Sequence, residues 1–217
     1  MRKDVRVWFS KTGTARYISH LDLNRCMSRA FHKGKLPLWY TEGFNPHVFL
    51  TFAAPLSLGF ESRKEAMDIR LIEDMPYEEL IEKMNAGLPH EIRAWAVTEP
   101  VMKANDIANA EYILRLETDD PAGMQAEMQR FLMEPEIVVE KHAKKGVKLV
   151  DIKPYFADMQ FEPEAEELVM TVRLPAGNQG GINPMLFVEA AEKFLQKPLL
   201  VRVERTCLMD AEFREFQ

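Results

Sequence analysis

Cysteine is scarce in this chain of 217 residues: there are two, Cys26 and Cys207, far apart in the sequence. No Cys-x-x-Cys and no cysteine triplet occurs, so this chain alone does not hold an iron–sulfur cluster. Both cysteines fall in apolar periodic segments, where buried, reduced thiols are expected. Long apolar runs are also missing, and none approaches the ~20 residues that a membrane-spanning helix needs. The start, Met1 to Asp4, leads into no apolar signal region, so a cytoplasmic location is expected. Gly-x-Ser-x-Gly, His-Glu-x-x-His and Gly-Lys-Ser/Thr are all absent, which removes the ready-made hydrolase, zinc-protease and nucleotide-loop signatures. The trio His20, Asp22 and His47 matches no zinc spacing. No metal and no cofactor is expected.

What is present describes a globular chain. Hydrophobic residues make up 47% and charged residues 29%, enough for one large domain or two of about 100 residues. The charge is unevenly spread. Residues 1–48 carry nine Lys/Arg against three Asp/Glu, while the other 169 carry nineteen against thirty-one. An acidic protein with a basic end offers that end to an anion.

The apolar pattern has one plan, used twice. Val5–Phe9 reads as a strand. Ser19 is an N-cap, with Asp22 three positions on, and Leu23, Cys26, Met27, Ala30 and Phe31 follow at helical spacing. Gly34 ends that helix. Leu36–Tyr40 is extended, and Val48–Ala53 and Ala66–Ile72 pair as a hairpin. A helix opens at Pro76 and closes at Gly87, and Ile92–Val97 is the last strand. After a linker, Pro100–Asn109, the order recurs. It runs through Glu111–Leu116, a helix Pro121–Leu132, extended Ile137–Glu140 and Val147–Tyr155, a strand Leu168–Leu174, a helix from Asn183-Pro184 and a strand Leu200–Cys207. The expected fold class is α+β, with two tandem ferredoxin-like (βαββαβ) units and antiparallel sheets. The expected division is 1–100, bearing the polar motifs, and 109–217.

Two polar runs in the first half exceed what packing requires: Ser10–Asp22 and Tyr40–His47. In the first, a helix N-terminus with Lys11, Arg16, Tyr17 and Ser19 can bind an anion, while His20 donates a hydrogen bond or proton. Capping accounts for Ser19 and Asp22 but not for Arg16 or His20. Arg25 and Arg29 lie four apart opposite the apolar face, as phosphate contacts or as an ordinary wet surface. In the second run Gly43 permits a positive φ, and Asn45-Pro46 favours a turn. Phe44 either stacks on a base or plugs the core, the plug being the commoner outcome. A pairing of His47 with Glu42 would fix the imidazole tautomer. Further on, residues 141–153 hold five Lys and one Asp. Lys144, Lys145 and Lys148 there suit a phosphate backbone or a protected edge strand equally. The glycine-rich loop 176–184 reads as a connector.

Arg16-Tyr-Ile-Ser-His-Leu-Asp-Leu-x-Arg25, Leu36-Pro-Leu-x-Tyr40, Glu42-Gly-Phe-Asn-Pro-His47 and Pro55-Leu-x-Leu-Gly59 together resemble a bacterial family. It is the radical-SAM-linked domain of unknown function, found beside or fused to radical-SAM proteins. Val150-Asp-Ile-Lys-Pro154 also resembles it, and the pattern covers nearly the whole chain. Val48 stands where the family usually has a second proline. The resemblance implies a radical-SAM protein as partner, supplied by a separate chain; the family has no established activity, so it transfers an association only, and the reading leans to no catalytic activity of the chain's own.

Three functions follow as expectations. The first is an accessory module that binds structured RNA (tRNA or rRNA) for a radical-SAM modification enzyme. The second is an enzyme using His20 and His47 as acid and base, in metal-independent RNA processing or on a small phosphorylated substrate. It requires the two polar runs to meet in space. The third is a protein-interaction partner, which the thirteen methionines would suit.

Overall fold

The computed structural model describes residues 2–143, 146–177 and 180–217. It is a mixed α+β structure whose strands pair antiparallel throughout the described ladders. The chain forms two compact units, Met1–Ile107 with Asp210–Gln217, and Ala108–Met209. The closing segment Asp210–Gln217 thus groups with the first unit, whereas a division at 109–217 puts it with the second.

The first unit contains β1 (Lys3–Lys11), α1 (His20–Lys33), β2 (Leu50–Phe52), β3 (Phe60–Leu71), α2 (Tyr77–Asn85) and β4 (Ile92–Thr98). The strands lie in the order β4-β1-β3-β2. Val5, Val7 and Phe9 on β1 and Met67, Ile69 and Leu71 on β3 face the helices and meet Leu23, Met27, Ala30 and Phe31 of α1 and Leu80 and Met84 of α2. Each fully buried Leu, Phe or Met side chain contributes about 1.5–3 kcal/mol.

Alternation leaves Arg6 and Trp8 on the face away from the helices, yet they too are buried. Phe216 and Gln217 cover that face. The Arg6 guanidinium grips Asp68 at 2.7 and 2.8 Å, donates to the carbonyls of Met102 and Gln217, and lies 4.2 Å from the Phe216 ring centre.

The second strand is interrupted. Leu38 bridges Leu71, and Leu50 pairs with Ile69, so residues twelve apart are near-neighbours along β3. The chain between is extruded through the bridge Tyr40↔Val48. The expected strand Val48–Ala53 shrinks to Leu50–Phe52 for this reason.

Gly34 caps α1 with an ordinary right-handed backbone (φ −74°), and it is Lys35 that turns left-handed, at φ 49°. Gly34 is needed for closeness instead: a Cβ there would stand 2.9 Å from the Lys83 carbonyl oxygen. Gly87 is tighter, since its Cβ would stand 2.7 Å from the Cα of Ala30. Gly87→Ala is therefore expected to push α1 and the end of α2 apart and to cost about 1–3 kcal/mol, read as a lower urea midpoint with an unchanged slope.

The second unit contains β5 (Asn109–Glu117), α3 (Pro121–Leu132), β6 (Val138–Ala143), β7 (Gly146–Asp151), α4 (Lys153–Phe156), β8 (Gln160–Pro163), β9 (Glu167–Pro175), α5 (Met185–Leu195) and β10 (Val201–Met209). Its sheet runs β10-β5-β9-β8. The expected extended segments Ile137–Glu140 and Val147–Tyr155 do not join this sheet. They form the separate hairpin β6–β7, and Tyr155 lies in α4. The sheet strand at that place is β8, a short run that opens with exposed Gln160 and has no apolar alternation to announce it. Neither cysteine is in a disulfide, and both are half-buried rather than fully buried; desolvation pushes the Cys26 thiol above its ordinary range. Among the described residues no helix is long and apolar enough to cross a membrane.

Candidate nucleic-acid interface

The first polar run leaves the sheet after Lys11 and turns through a 3-10 segment, Gly13–Tyr17. Lys11 is not available to a ligand. It is 1% exposed, and its ammonium donates to the Arg16 carbonyl at 3.2 Å. Arg16 pairs with Glu61 at 3.1 Å and lies 4.9 Å from the Tyr17 ring centre. Tyr17 itself stands out into solvent, 64% exposed. The Gly59 amide donates to the Arg16 carbonyl at 2.8 Å, so the 16–25 and 55–59 motifs meet here, with Leu21 and Leu58 exposed in the same region.

Ser19 caps α1 by accepting from the Asp22 amide at 3.1 Å, and its hydroxyl donates to the Asp22 carboxylate at 2.7 Å. That hydrogen bond, followed by one from Arg25, holds the Asp22 carboxyl below its ordinary range. His20 sits at the first helical position with its ring 4.9 Å from that of Phe52, edge to face. The apolar stripe of α1 turns Leu21, Arg25, Arg29 and Lys33 outward at steps of four. Arg25 reaches Asp22 at 3.1 Å across an exposed pair, an arrangement worth at most about 1 kcal/mol and easily exchanged. Arg29 is exposed and forms no ion pair among the described residues. Lys33 is exposed with its ammonium donating to the Ala86 carbonyl at 3.2 Å, and His32 and Lys35 are exposed at and just beyond the helix end, so residues 20–35 carry four exposed Arg/Lys against the one carboxylate of Asp22.

The second run is the extruded loop. Gly43 takes φ +132°, which L side chains rarely adopt, as its position in a turn requires. Four contacts close the loop, three of them between Thr41 and His47. The Thr41 amide donates to the His47 carbonyl at 2.8 Å, the His47 amide donates to Thr41 Oγ1 at 3.1 Å, and His47 Nδ1 lies 3.1 Å from Thr41 Oγ1 and 3.2 Å from the Asn45 carbonyl oxygen. His47 thus pairs with Thr41 and not with Glu42, which instead faces Arg2 at 3.6 Å. Phe44 does not plug the core. It is 106% exposed at the loop tip. Asn45 is exposed beside it. Arg2 and Arg70 lie over Trp39 at the loop's base, at 4.9 and 5.2 Å.

The two runs do not form one pocket. The loop leaves the edge opposite Ile69 and Leu71, level with Lys3 and Val5, whereas the first run leaves beyond Lys11, opposite Ser62. Those levels are roughly 20 Å apart at 3.3 Å per residue. His20 packs on Phe52 and His47 bonds within its own loop, so no hydrogen bond or ring contact joins the two imidazoles among the described residues. Among the described residues there is also no group of three His, Cys, Asp or Glu able to hold a metal ion.

In the second unit Lys148 is exposed on β7. Lys141 and Lys153 are tied down, donating to the carbonyls of Gly181 and Glu134 at 2.7 and 2.6 Å. Lys144 and Lys145 lie outside the described residues. Arg6 was not foreseeable as a buried residue, because its partners are 62, 96 and 211 positions away.

A family model described as "Uncharacterized protein conserved in bacteria (DUF2344)" matches residues 4–184. The chain belongs to this family. Among solved structures, this DUF2344 member is similar to a chain in the "Crystal Structure of a Cbf5-Nop10-Gar1 Complex", with 11% identity and a TM-score of 0.45. The match covers 94% of this chain and 48% of that one, so the chain spans about half the length of that neighbour. It is also similar to an unknown protein from Galdieria sulphuraria, with 13% identity, a TM-score of 0.26 and coverage of 94% and 99%. Neither likeness bears on function at these scores. No curated protein matches the chain.

Proposed function

We propose that this DUF2344 protein is an accessory module that binds structured RNA, tRNA or rRNA, and presents it to a separate radical-SAM modification enzyme. The observation that carries the RNA reading is the outer surface of α1. Arg25 and Arg29 are exposed there beside Asp22 alone, Lys33 and Lys35 are exposed at and just beyond the helix end, and Tyr17 stands exposed ahead of the same helix. Cations at helical spacing suit a phosphate backbone, and a free aromatic face suits an unstacked base. Phe44, on its hydrogen-bonded loop, offers a second stacking platform. The radical-SAM partner rests on the resemblance of the four N-terminal motifs.

We read each unit as ferredoxin-like. The element order and the 4-1-3-2 strand order of each sheet support this, with β6–β7 and α4 inserted in the second unit. Paired domains of this type occur in RNA-processing proteins, which is analogy at the level of fold. The usual mode of such domains, bases stacked on the open sheet face, does not suit the first unit, because Phe216 and Gln217 lie over Arg6 there. The helical side is the better surface. The acid–base enzyme reading needs His20 and His47 to meet, and among the described residues His20 packs on Phe52 while His47 bonds within its own loop. A protein-docking reading draws on Leu21 and Leu58, each exposed beside Tyr17.

The test is a salt titration of tRNA and rRNA-fragment binding by fluorescence anisotropy. The logarithm of affinity should fall linearly with the logarithm of salt, with a slope of about −3 if four phosphates are met. Phe44→Ala should weaken binding several-fold, roughly 1–3 kcal/mol per lost stack, while leaving the urea midpoint unchanged because the side chain is already in water. No binding, or an affinity indifferent to salt, rejects the reading.

A further inference from the structure

A second site, separate from the α1 surface, lies on the sheet face away from the helices in the first unit. It is a groove of about 300 Å³ bordered by Trp8, Trp95, Phe216, Lys64, Glu99 and Glu215. Its walls are aromatic. The Trp8 and Trp95 rings are 6.1 Å apart at 33°, and Phe216 meets Trp8 edge-on at 6.3 Å and 64°. Both indoles are fixed by hydrogen bonds, Trp8 Nε1 to Thr98 Oγ1 at 3.0 Å and Trp95 Nε1 to the Arg63 carbonyl at 3.1 Å. Their orientation is therefore set before anything binds. Packing does not explain the arrangement, because Trp95 leaves 48% of its surface in solvent and Val101 leaves 76%.

The rim decides the ligand. Glu215 is acidic and half-exposed at the rim, with a side-chain exposure of 49%, while Glu99, at 75%, already faces Lys3 at 3.6 Å. Indole faces attract cations through the ring quadrupole, and paired aromatics with carboxylates nearby recognise alkylated ammonium groups. The groove already holds one cation of its own chain: the Lys64 ammonium lies 5.6 Å from the Trp8 ring centre and is bonded to Glu215. We propose that this groove is a binding site for a small alkylammonium cation, which takes the place of the Lys64 ammonium over Trp8 and leans on Glu215.

Trp39 serves as an internal control, being the one other tryptophan of three and lying at the base of the 41–47 loop. The full chain, labelled with nitrogen-15, is titrated with choline while the three indole N–H resonances are followed. The Trp8 and Trp95 signals should move and saturate, and the Trp39 signal should stay in place. The neutral isostere 3,3-dimethylbutanol should bind roughly tenfold more weakly, since it keeps the shape but loses the charge. Lys64→Met should tighten choline binding several-fold by removing the competing ammonium. Three results would overturn the site: no movement of the Trp8 and Trp95 signals in the wild-type chain, an equal response to the neutral isostere, or parallel movement of Trp39. None of these involves RNA, so the two readings stand or fall separately.

Discussion

Arg6→Ala is expected to lower the stability of the first unit by about 3–5 kcal/mol, the scale for breaking a buried pair by removing one partner. Arg6 is fully buried, and Asp68 retains 26% side-chain exposure, so the loss falls mainly on the guanidinium's own contacts. The substitution leaves the Asp68 carboxylate and the Met102 carbonyl without this donor, leaves the Gln217 carbonyl with the Met102 amide at 2.8 Å, and opens a void beneath Phe216. Urea denaturation followed by tryptophan fluorescence measures the loss. Amide hydrogen exchange should show faster exchange at residues 214–217 and 102 first, because Arg6 holds those segments to the sheet. Arg6→Met with Asp68→Leu should recover part of the stability, since a matched apolar pair removes the stranded carboxylate. A loss below 1 kcal/mol would mean that the closing segment is held by Phe216 packing, the Lys64–Glu215 pair and the Met102 amide rather than by Arg6.

Reversing the charge of the α1 surface with Arg25→Glu and Arg29→Glu together is expected to weaken RNA binding at least roughly tenfold and to reduce the log–log salt slope by about 2. The double variant should fold normally. Both side chains are exposed, and the only ion pair lost is the surface pair of Arg25 with Asp22, worth at most about 1 kcal/mol. Circular dichroism and the urea midpoint verify that. Arg16 is the informative contrast. Its guanidinium is occupied by Glu61 and Tyr17, so Arg16→Gln should affect the local fold more than the salt slope. If the double variant bound RNA as well as the parent chain, the α1 surface would not be the interface.

The parts of the structure readable from the sequence are those set by near neighbours. The Ser19 cap depends on Asp22 three residues away, the α1 apolar stripe on spacing within a few turns, and the Gly43 turn on one residue's freedom at φ +132°. What escaped depends on distant contacts. Gly34 does end α1, but the residue that turns left-handed is Lys35, and Gly34 makes room for the Lys83 carbonyl. The partners of Arg6 lie up to 211 residues away, and no local pattern marks them. Leu36–Tyr40 and Val48–Ala53 read as separate extended pieces, whereas β3 brings Leu38 and Leu50 nearly side by side and turns the intervening residues out. A Phe between glycine and Asn-Pro is apolar enough to suggest a plug. Only the closure of the loop by Thr41 and His47 shows that it points into water. The candidate site was legible as a list of residues but not as a place. The two polar runs leave the sheet at different levels, and part of the basic charge that marked the region is spent in pairs, Arg16 on Glu61, Arg6 on Asp68, Lys3 on Glu99 and Arg2 on Glu42.

The most direct measurement is ultraviolet crosslinking of the full-length protein to RNA in cells, with the crosslinked peptides and nucleotides identified by mass spectrometry. The RNA-binding account predicts adducts at Tyr17 or Phe44 and within residues 20–35, on a defined tRNA or rRNA position. A complete lack of crosslinked RNA, or adducts confined to peptides away from α1 and the 41–47 loop, would contradict it.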